Sequence, residues 1–224
     1  GGISMGAFLD LLFPPLCLNC RQQRRVRLGL CAACLGQVEM TGLSGCIRCG
    51  RRCQAGRCAP LDHRYSRVLS LAAYRGPWRL TVQNVKFGGN RSVALELARE
   101  LAALAVAAGF ARPAAVVPVP GAGKSWRNFD IIALICKELT RTTGAPTRSV
   151  LGRRPGRPPQ VELNLKGRLE GLEDYIYLEQ GTEFADSIIW LVDDVYTTGA
   201  TADACARALL AVGARSVYLL VLAA

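Results

Sequence analysis

The strongest structural signal in this chain is an apolar run that ends in two acids and a threonine-glycine turn: Ile188-Ile189-Trp190-Leu191-Val192-Asp193-Asp194-Val195-Tyr196-Thr197-Thr198-Gly199-Ala200-Thr201. The apolar residues at its start are typical of a β-strand that is buried on both faces. A helix is expected to begin near Ala200, where backbone amides and threonine hydroxyls can donate to a phosphate. The neighbouring carboxylates can accept hydrogen bonds from the hydroxyl groups of a sugar. The run therefore predicts a sugar-phosphate site, whereas a simple capped helix would explain only one aspartate and one threonine.

Strands and helices are expected to alternate on both sides of this run. The expected strands are 67–74, 114–117, 175–178, 188–192 and 216–222, and the expected helices are 77–87, 92–108, 127–142 and 200–212. Asn90 is expected to cap the second of these helices. The alternation predicts an α/β fold in which helices cover both faces of a parallel sheet, and ligands of such sheets lie outside the carboxyl ends of the strands.

The composition is that of a globular protein. The chain has 224 residues, half of them apolar, so it can bury a substantial core and is neither collagenous nor disordered. Its longest apolar runs fall well short of the roughly 18 residues that cross a bilayer, which predicts a soluble protein. The net charge of +11 favours anionic partners such as phosphates or nucleic acid.

Most of the ten cysteines form closely spaced pairs near the start of the chain: Cys17, Cys20, Cys31, Cys34, Cys46, Cys49, Cys53 and Cys58. Two thiolates at this spacing can bind one metal ion, and two such pairs complete a tetrahedral zinc site. We therefore predict a small zinc-binding domain over residues 5–62, holding one or two structural Zn²⁺ ions, and a second domain over residues 63–224. An iron–sulfur cluster is the alternative, and the way in which the pairs combine is left open.

Several other residues of the chain lead to more modest expectations. The arginines between the cysteine pairs form either a surface for nucleic acid or a solvated face. His63 is expected to be exposed, with a metal-binding role as the alternative, whereas Cys136 and Cys205 are expected to lie in the core. Residues 152–168 carry prolines and basic side chains and are expected to form an exposed loop.

The run from Ile188 to Thr201 closely resembles the signature with which type I phosphoribosyltransferases bind phosphoribosyl pyrophosphate. Together with the leading Phe13-Pro14-Pro15-Leu16-Cys17 and the later cysteine pairs, it makes the chain similar to the ComF family from Leu9 to its end. Three further segments agree with this resemblance: Lys86-Phe87-Gly88-Gly89, Val117-Pro118-Val119-Pro120 and Pro158-Pro159-Gln160. The resemblance implies a type I phosphoribosyltransferase-like domain behind an N-terminal zinc-binding module.

The resemblance also implies roles for individual residues. Asp193 and Asp194 would be the catalytic acids, which hold the ribose hydroxyls directly or through Mg²⁺. Thr197 to Thr201 would surround the 5′-phosphate, and the turn from Pro120 to Lys124 would contact the pyrophosphate. The full substrate-binding set is Val195, Tyr196, Thr197, Thr198, Gly199, Ala200, Thr201, Pro120, Gly121, Lys124, Arg127 and Lys86. The basic loop around Arg153, Arg154 and Arg157 would close over the reaction and exclude water.

The family implies a cellular setting as well. ComF proteins are associated with the import of single-stranded DNA during natural transformation, beside a ComFA-like helicase, so a cytoplasmic protein at the inner face of the membrane is expected. Where family members usually continue Pro-Val-Pro with Leu-His-Pro, this chain has Gly121-Ala122-Gly123. Two functions therefore stay open: transfer of a phosphoribosyl group to an unidentified nucleophile, and a non-catalytic module that binds nucleic acid.

Gly123-Lys124-Ser125 also imitates part of the phosphate-binding loop of P-loop NTPases. The full motif requires a glycine five positions earlier, where this chain has Pro118. A proline cannot donate a backbone hydrogen bond to a phosphate. The NTPase interpretation is therefore a distant alternative.

Overall fold

The structure is a computed structural model that describes residues 15–53, 63–121, 130–154 and 175–224. Its helices are α1 (Ala32–Leu35), α2 (Gly76–Gly88), α3 (Arg91–Ala107), α4 (Ile131–Thr143) and α5 (Ala200–Ala211), with a 3-10 turn at Gly42–Ser44. Its strands are β1 (Arg67–Ala72), β2 (Ala115–Pro118), β3 (Leu151–Arg153), β4 (Ile176–Leu178), β5 (Ser187–Val195) and β6 (Ala214–Ala223). Among the described helices, none combines the length and the apolar character that a membrane span requires.

Four strands form a parallel sheet in the order β1-β6-β5-β2. The predicted α/β class, with a parallel sheet flanked by helices, is confirmed. The strand expected near residue 175 does not join this sheet, because β4 pairs antiparallel with β3. β3 occupies the start of the segment that was expected to be a loop from residue 152. Strands of three residues are too short to show a period in the sequence, which is why this pair was not foreseen.

Helices α2, α3 and α4 cover one face of the sheet, and α5 covers the other. Strand β5 separates the two layers, since its consecutive side chains point to opposite faces. Trp190 and Val192 lie in the layer of α2 to α4, and Ile189 and Leu191 lie in the layer of α5. Cys136 and Cys205 are buried within α4 and α5, as the sequence predicted.

The helix ends follow local capping chemistry. The Asn90 side chain accepts a hydrogen bond from the Val93 amide at the start of α3, which confirms the predicted cap. Helix α4 begins at Ile131, and the Asp130 carboxylate accepts from the amide of Ile132. The expected start of this helix near residue 127 lies outside the described residues. Such caps stabilise a helix by about 1 kcal/mol each.

The cysteine-rich segment is docked on the main fold. Leu28 is fully buried in the same core as α3, and its amide donates to the Glu96 carboxylate over 2.8 Å. Arg27 forms an ion pair with Glu100 on the same helix. Because Leu28 fills part of the main core, the two parts of the chain share apolar burial.

Candidate functional site

The loop after β5 lies at the carboxyl end of the sheet. The Tyr196 amide donates to the Ala223 carbonyl over 2.8 Å, which ties the loop to the neighbouring strand β6. Gly199 adopts a left-handed conformation with φ of +79° and turns the chain into α5. The Ala200 amide donates to Thr198 Oγ1 over 3.4 Å, and the next amides in the first turn of α5 have no acceptor within the helix.

The loop encloses a small cavity of about 50 Å³, which is lined by Asp193, Val195, Tyr196, Thr197, Thr198, Gly199, Ala200, Thr201, Ala202 and Leu219. All seven residues that the sequence predicted from position 195 to 201 line it. A cavity needs only about 10–15 Å³ to hold one water, so this one has room for a small anionic group. Amides and hydroxyls at a helix start are the donors that a phosphate requires.

The two aspartates do not act on the same face. Strand β5 continues to Val195, three residues beyond the end expected from the apolar run, so Asp193 and Asp194 point to opposite faces. Asp193 lines the cavity, while the Asp194 carboxylate forms an ion pair with Lys86 of α2. Lys86 is therefore held beside the second acid and does not line the cavity.

Asp193 has an unusual protonation equilibrium. Burial raises the pKa of its carboxyl to about 7, and the negative charge of Asp194 acts in the same direction. The Asp194 amide donates to Asp193 Oδ1 over 2.8 Å and the charge of Lys86 is near, but these opposing effects are smaller. Near neutral pH the carboxyl can therefore be present in either state, and a cation or a donor hydroxyl bound beside it would favour the ionised form.

An aromatic cluster of Tyr65, Tyr196 and His63 packs against the loop after β5. The sequence alone did not predict it. The Tyr65 and Tyr196 hydroxyls are 2.9 Å apart, and His63 Nε2 is 3.3 Å from the Tyr196 hydroxyl. His63 stacks on Tyr65 and lies 3.7 Å from a carboxylate oxygen of Asp203 on α5. The expectation that His63 is exposed is wrong, since its side chain is only 6% exposed. Its burial depends on groups far along the chain, and no local signal shows it.

Pro120 and Gly121 follow the carboxyl end of β2, beside the end of β5. The Val119 amide donates to the Val192 carbonyl over 2.9 Å, so this turn begins next to the strand that carries the aspartates. Lys124 and Arg127 lie outside the described residues, as do Cys58 and Arg157. Arg153 ends strand β3, and Arg154 follows it.

The first two cysteine pairs come together. The sulfur atoms of Cys17, Cys20, Cys31 and Cys34 all lie within 4.8 Å of one another. A zinc ion with bonds of about 2.3 Å to four sulfurs requires sulfur–sulfur distances of about 3.8 Å, which this group fits. Although burial opposes ionisation, backbone hydrogen bonds lower the pKa of the Cys17 thiol to about 6. The pKa of the Cys34 thiol is raised to about 11, because the hydrogen bond from Asn19 is outweighed by burial and by the neighbouring cysteines.

The third cysteine pair meets the first member of the fourth. Cys46, Cys49 and Cys53 have sulfur atoms within 4.8 Å of one another, and we call residues 46–53 the second knuckle. Three thiolates are a suitable but incomplete donor set for tetrahedral zinc, and the remaining predicted ligand is Cys58.

The second knuckle contacts the loop after β5. Arg51 Nη2 donates to the Thr197 carbonyl over 2.6 Å, and its guanidinium lies 5.4 Å from the centre of the Tyr196 ring. The knuckle itself is fixed on β1, because the Val68 amide donates to the Ile47 carbonyl over 2.7 Å. A metal-binding segment and the candidate phosphate loop are thus joined by one arginine.

Comparison with known proteins agrees with the description of the cysteine-rich segment. Residues 8–63 match a family model described as a double zinc ribbon domain. This match and the two cysteine clusters together support structural Zn²⁺ in the chain.

Relatives match over almost the full length. The DNA utilization protein YhgH of Salmonella typhi is 30% identical over 220 residues, covering 92% of this chain and 96% of the relative. The protein of the same name from Escherichia coli (strain K12) is 28% identical over the same shares. Competence protein F of Haemophilus influenzae is 27% identical over 216 residues, covering 90% of this chain and 93% of the relative. On this full-length similarity, the chain belongs to the ComF family.

Proposed function

We propose that this protein binds phosphoribosyl pyrophosphate, or a related sugar phosphate, at the carboxyl end of β5 and serves the uptake or handling of DNA. The observation that carries the first part is the 50 Å³ cavity, which combines the amides at the start of α5, three threonines and the carboxylate of Asp193. The second part is supported by relatives named for competence and DNA utilization.

In the proposed complex, the loop from Thr197 to Thr201 binds the 5′-phosphate, and the Asp193 carboxylate accepts a hydrogen bond from a ribose hydroxyl. Mg²⁺ fits the oxygen donors at this edge of the sheet, and when bound it would neutralise charge on the pyrophosphate. Asp193 would hold that ion, and Asp194 positions Lys86 through their ion pair. Pro120, Gly121, Lys124 and Arg127 are the proposed contacts of the pyrophosphate.

The reaction that such a complex serves is pentosyl transfer. The bond between the ribose carbon and the pyrophosphate oxygen breaks, and a nucleophile forms a new bond to that carbon. Tyr65, Tyr196 and His63 hold the loop in position, since all three lie against Gly199. Placing the sugar in this way supplies much of the rate enhancement in bimolecular reactions.

The proposed ligand can be tested by titration calorimetry with phosphoribosyl pyrophosphate and Mg²⁺. We expect Asp193→Asn to weaken binding by about tenfold or more, since a hydrogen bond to a charged group contributes about 1.5–3 kcal/mol. Asp186→Asn is the matched control, because Asp186 is exposed and lies just before the opposite end of β5. Absence of binding by the parent protein would contradict the proposal.

A second candidate function is a module that binds single-stranded DNA without catalysis, working with a ComFA-like helicase. It is favoured by the net charge of +11 and by the exposed arginines of the cysteine-rich segment. In this proposal residues 5–62 form the zinc-binding domain that meets the DNA and residues 63–224 form the sugar-phosphate domain. Affinity for a single-stranded oligonucleotide should fall steeply as salt rises, because phosphate contacts release counterions. A response that does not change with salt would count against this function.

A further inference from the structure

A second, larger cleft lies beside the sugar-phosphate cavity. It has a volume of about 520 Å³ and is formed between the second knuckle, the segment after β1 and the loop after β5. Tyr196, Thr197 and Thr198 belong to the walls of both spaces, so groups bound in the two would be neighbours. Volumes of about 300–1,000 Å³ are typical of sites for small organic molecules.

The side chains that line this cleft carry more positive than negative charge. Among the described lining residues, the guanidinium groups of Arg51, Arg52 and Arg75 stand against one side-chain carboxylate, that of Glu39. Arg52 Nη2 donates to the Met40 carbonyl over 3.0 Å, and Arg75 forms an ion pair with Glu39. These contacts fix the orientation of the guanidinium groups while leaving the side chains of Arg52 and Arg75 exposed to a ligand.

Aromatic surface completes the walls. Tyr74 and Tyr196 both line the cleft. Arg79 lies 5.8 Å from the ring centre of Tyr74, at a distance typical of a cation–π contact. Guanidinium groups bind phosphate oxygens, and the partly exposed ring of Tyr74 offers a surface on which a nucleobase can stack, whereas Tyr196 is buried beneath Arg51.

We propose that this cleft binds a nucleotide, next to the sugar-phosphate cavity. Arg52 and Arg75 bind its phosphate, and Arg51 positions the shared wall through the Thr197 carbonyl. A nucleobase without a phosphate has no negative charge, so it would leave the net positive charge of the cleft unbalanced. The proposal rests on the proposed function, because it takes the small cavity as the place of the sugar phosphate.

The experiment is a titration of the full chain with thymidine 5′-monophosphate in the presence of saturating ribose 5-phosphate. We expect the nucleotide to bind and Arg52→Gln to weaken it by about tenfold or more, as the loss of a charge-assisted hydrogen bond predicts. Arg215→Gln is the matched control, since Arg215 is also exposed but lies at the other end of β6. Thermal unfolding of both variants confirms that they fold.

Three results would overturn the proposal. Thymidine binding as tightly as its monophosphate would remove the role of the phosphate. Full competition between ribose 5-phosphate and the nucleotide would place both in the small cavity. Equal effects of Arg52→Gln and Arg215→Gln would show only a general loss of charge.

The outcome also separates this proposal from the proposed function. If ribose 5-phosphate binds and the nucleotide does not, the cleft proposal alone is wrong. If the nucleotide binds in the way that depends on Arg52 but neither ribose 5-phosphate nor phosphoribosyl pyrophosphate binds, the proposed function is wrong and the cleft retains its ligand.

Discussion

Gly199 is the residue at which the loop after β5 packs against Tyr65, Tyr196 and His63. A Cβ atom at this position would lie 2.5 Å from the Tyr65 hydroxyl and 2.7 Å from Tyr196 Cε2. We expect Gly199→Ala to lower the free energy of unfolding by about 2–4 kcal/mol, because the left-handed backbone and the overpacking each have a cost. The variant should also lose affinity for phosphoribosyl pyrophosphate. Urea unfolding and calorimetry measure the two effects.

The matched control is Gly109→Ala. Gly109 is also left-handed, with φ of +63°, but no atom lies within 4 Å of the position of a new Cβ. It should therefore lose only about 1–2 kcal/mol and retain ligand binding. Equal losses in the two variants would show that Gly199 matters for its backbone alone.

The buried carboxyl of Asp193 should make the stability of the protein depend on pH. Its pKa is about 7 in the folded protein and 3.8 in an ordinary carboxyl. Between these values the folded protein holds a proton that the unfolded chain has lost, so the free energy of unfolding contributed by this group falls as pH rises from about 4 to about 7. Asp193→Asn should remove this contribution.

The measurement is urea unfolding of the parent and of Asp193→Asn without divalent cations, at a series of pH values across this range. The free energy of unfolding of Asp193→Asn should increase relative to that of the parent as pH rises. Asp186→Asn, which alters an exposed carboxyl, should follow the parent. A constant difference between the parent and Asp193→Asn would contradict the raised pKa.

Helix α1 is short and lies between cysteines of the first cluster. It has four residues, and Cys31 and Cys34 bring both of its ends to the other cysteines. We expect Cys34→Ser to lower the zinc content by one ion per chain and to lower the free energy of unfolding by several kcal/mol, because structural zinc contributes directly to folding. Metal analysis after dialysis and thermal unfolding measure these effects.

Ala33→Ser provides the comparison for this variant. Ala33 is exposed on the same helix and contributes no sulfur, so its substitution should leave the zinc content unchanged. Unchanged zinc content in Cys34→Ser would mean that this cluster does not hold the ion.

The positions of most strands and helices could be predicted from the sequence. The apolar residues of β5 and the turn before α5 are local signals, so the sequence predicted the strand, the turn and the residues from 195 to 201 that line the small cavity. The opposite orientation of Asp193 and Asp194 was not, because the apolar pattern ends at Val192 while the strand continues to Val195. Pairing partners such as β3 with β4, and the grouping of the cysteines, depend on contacts between distant segments that no short pattern encodes.

At the scale of the whole molecule, the cysteine-rich segment and the sheet share one core. Leu28 is buried among residues of β1 and α3. We expect Leu28→Ala to lower the free energy of unfolding by about 2–5 kcal/mol, the usual effect of removing a buried leucine side chain. Trp78 and Trp190 are buried in the main fold, so their fluorescence should report this loss if the cysteine-rich segment and the sheet unfold together.

Val26→Ala is the comparison, since Val26 lies two residues away and is 66% exposed. Its effect should be within about 0.5 kcal/mol. If Leu28→Ala left the tryptophan transition unchanged, the segment would unfold independently of the sheet.

The Arg51 bridge would let a metal ion bound in the second knuckle serve as an optical probe. The Arg51 carbonyl accepts from the Cys46 amide over 2.8 Å, and its guanidinium reaches the Thr197 carbonyl. Cobalt(II) in place of zinc colours a thiolate site, and that colour responds to small distortions of the metal's surroundings. A ligand that displaces the loop after β5 would therefore change the visible absorption of a cobalt-substituted second knuckle, without any label on the ligand.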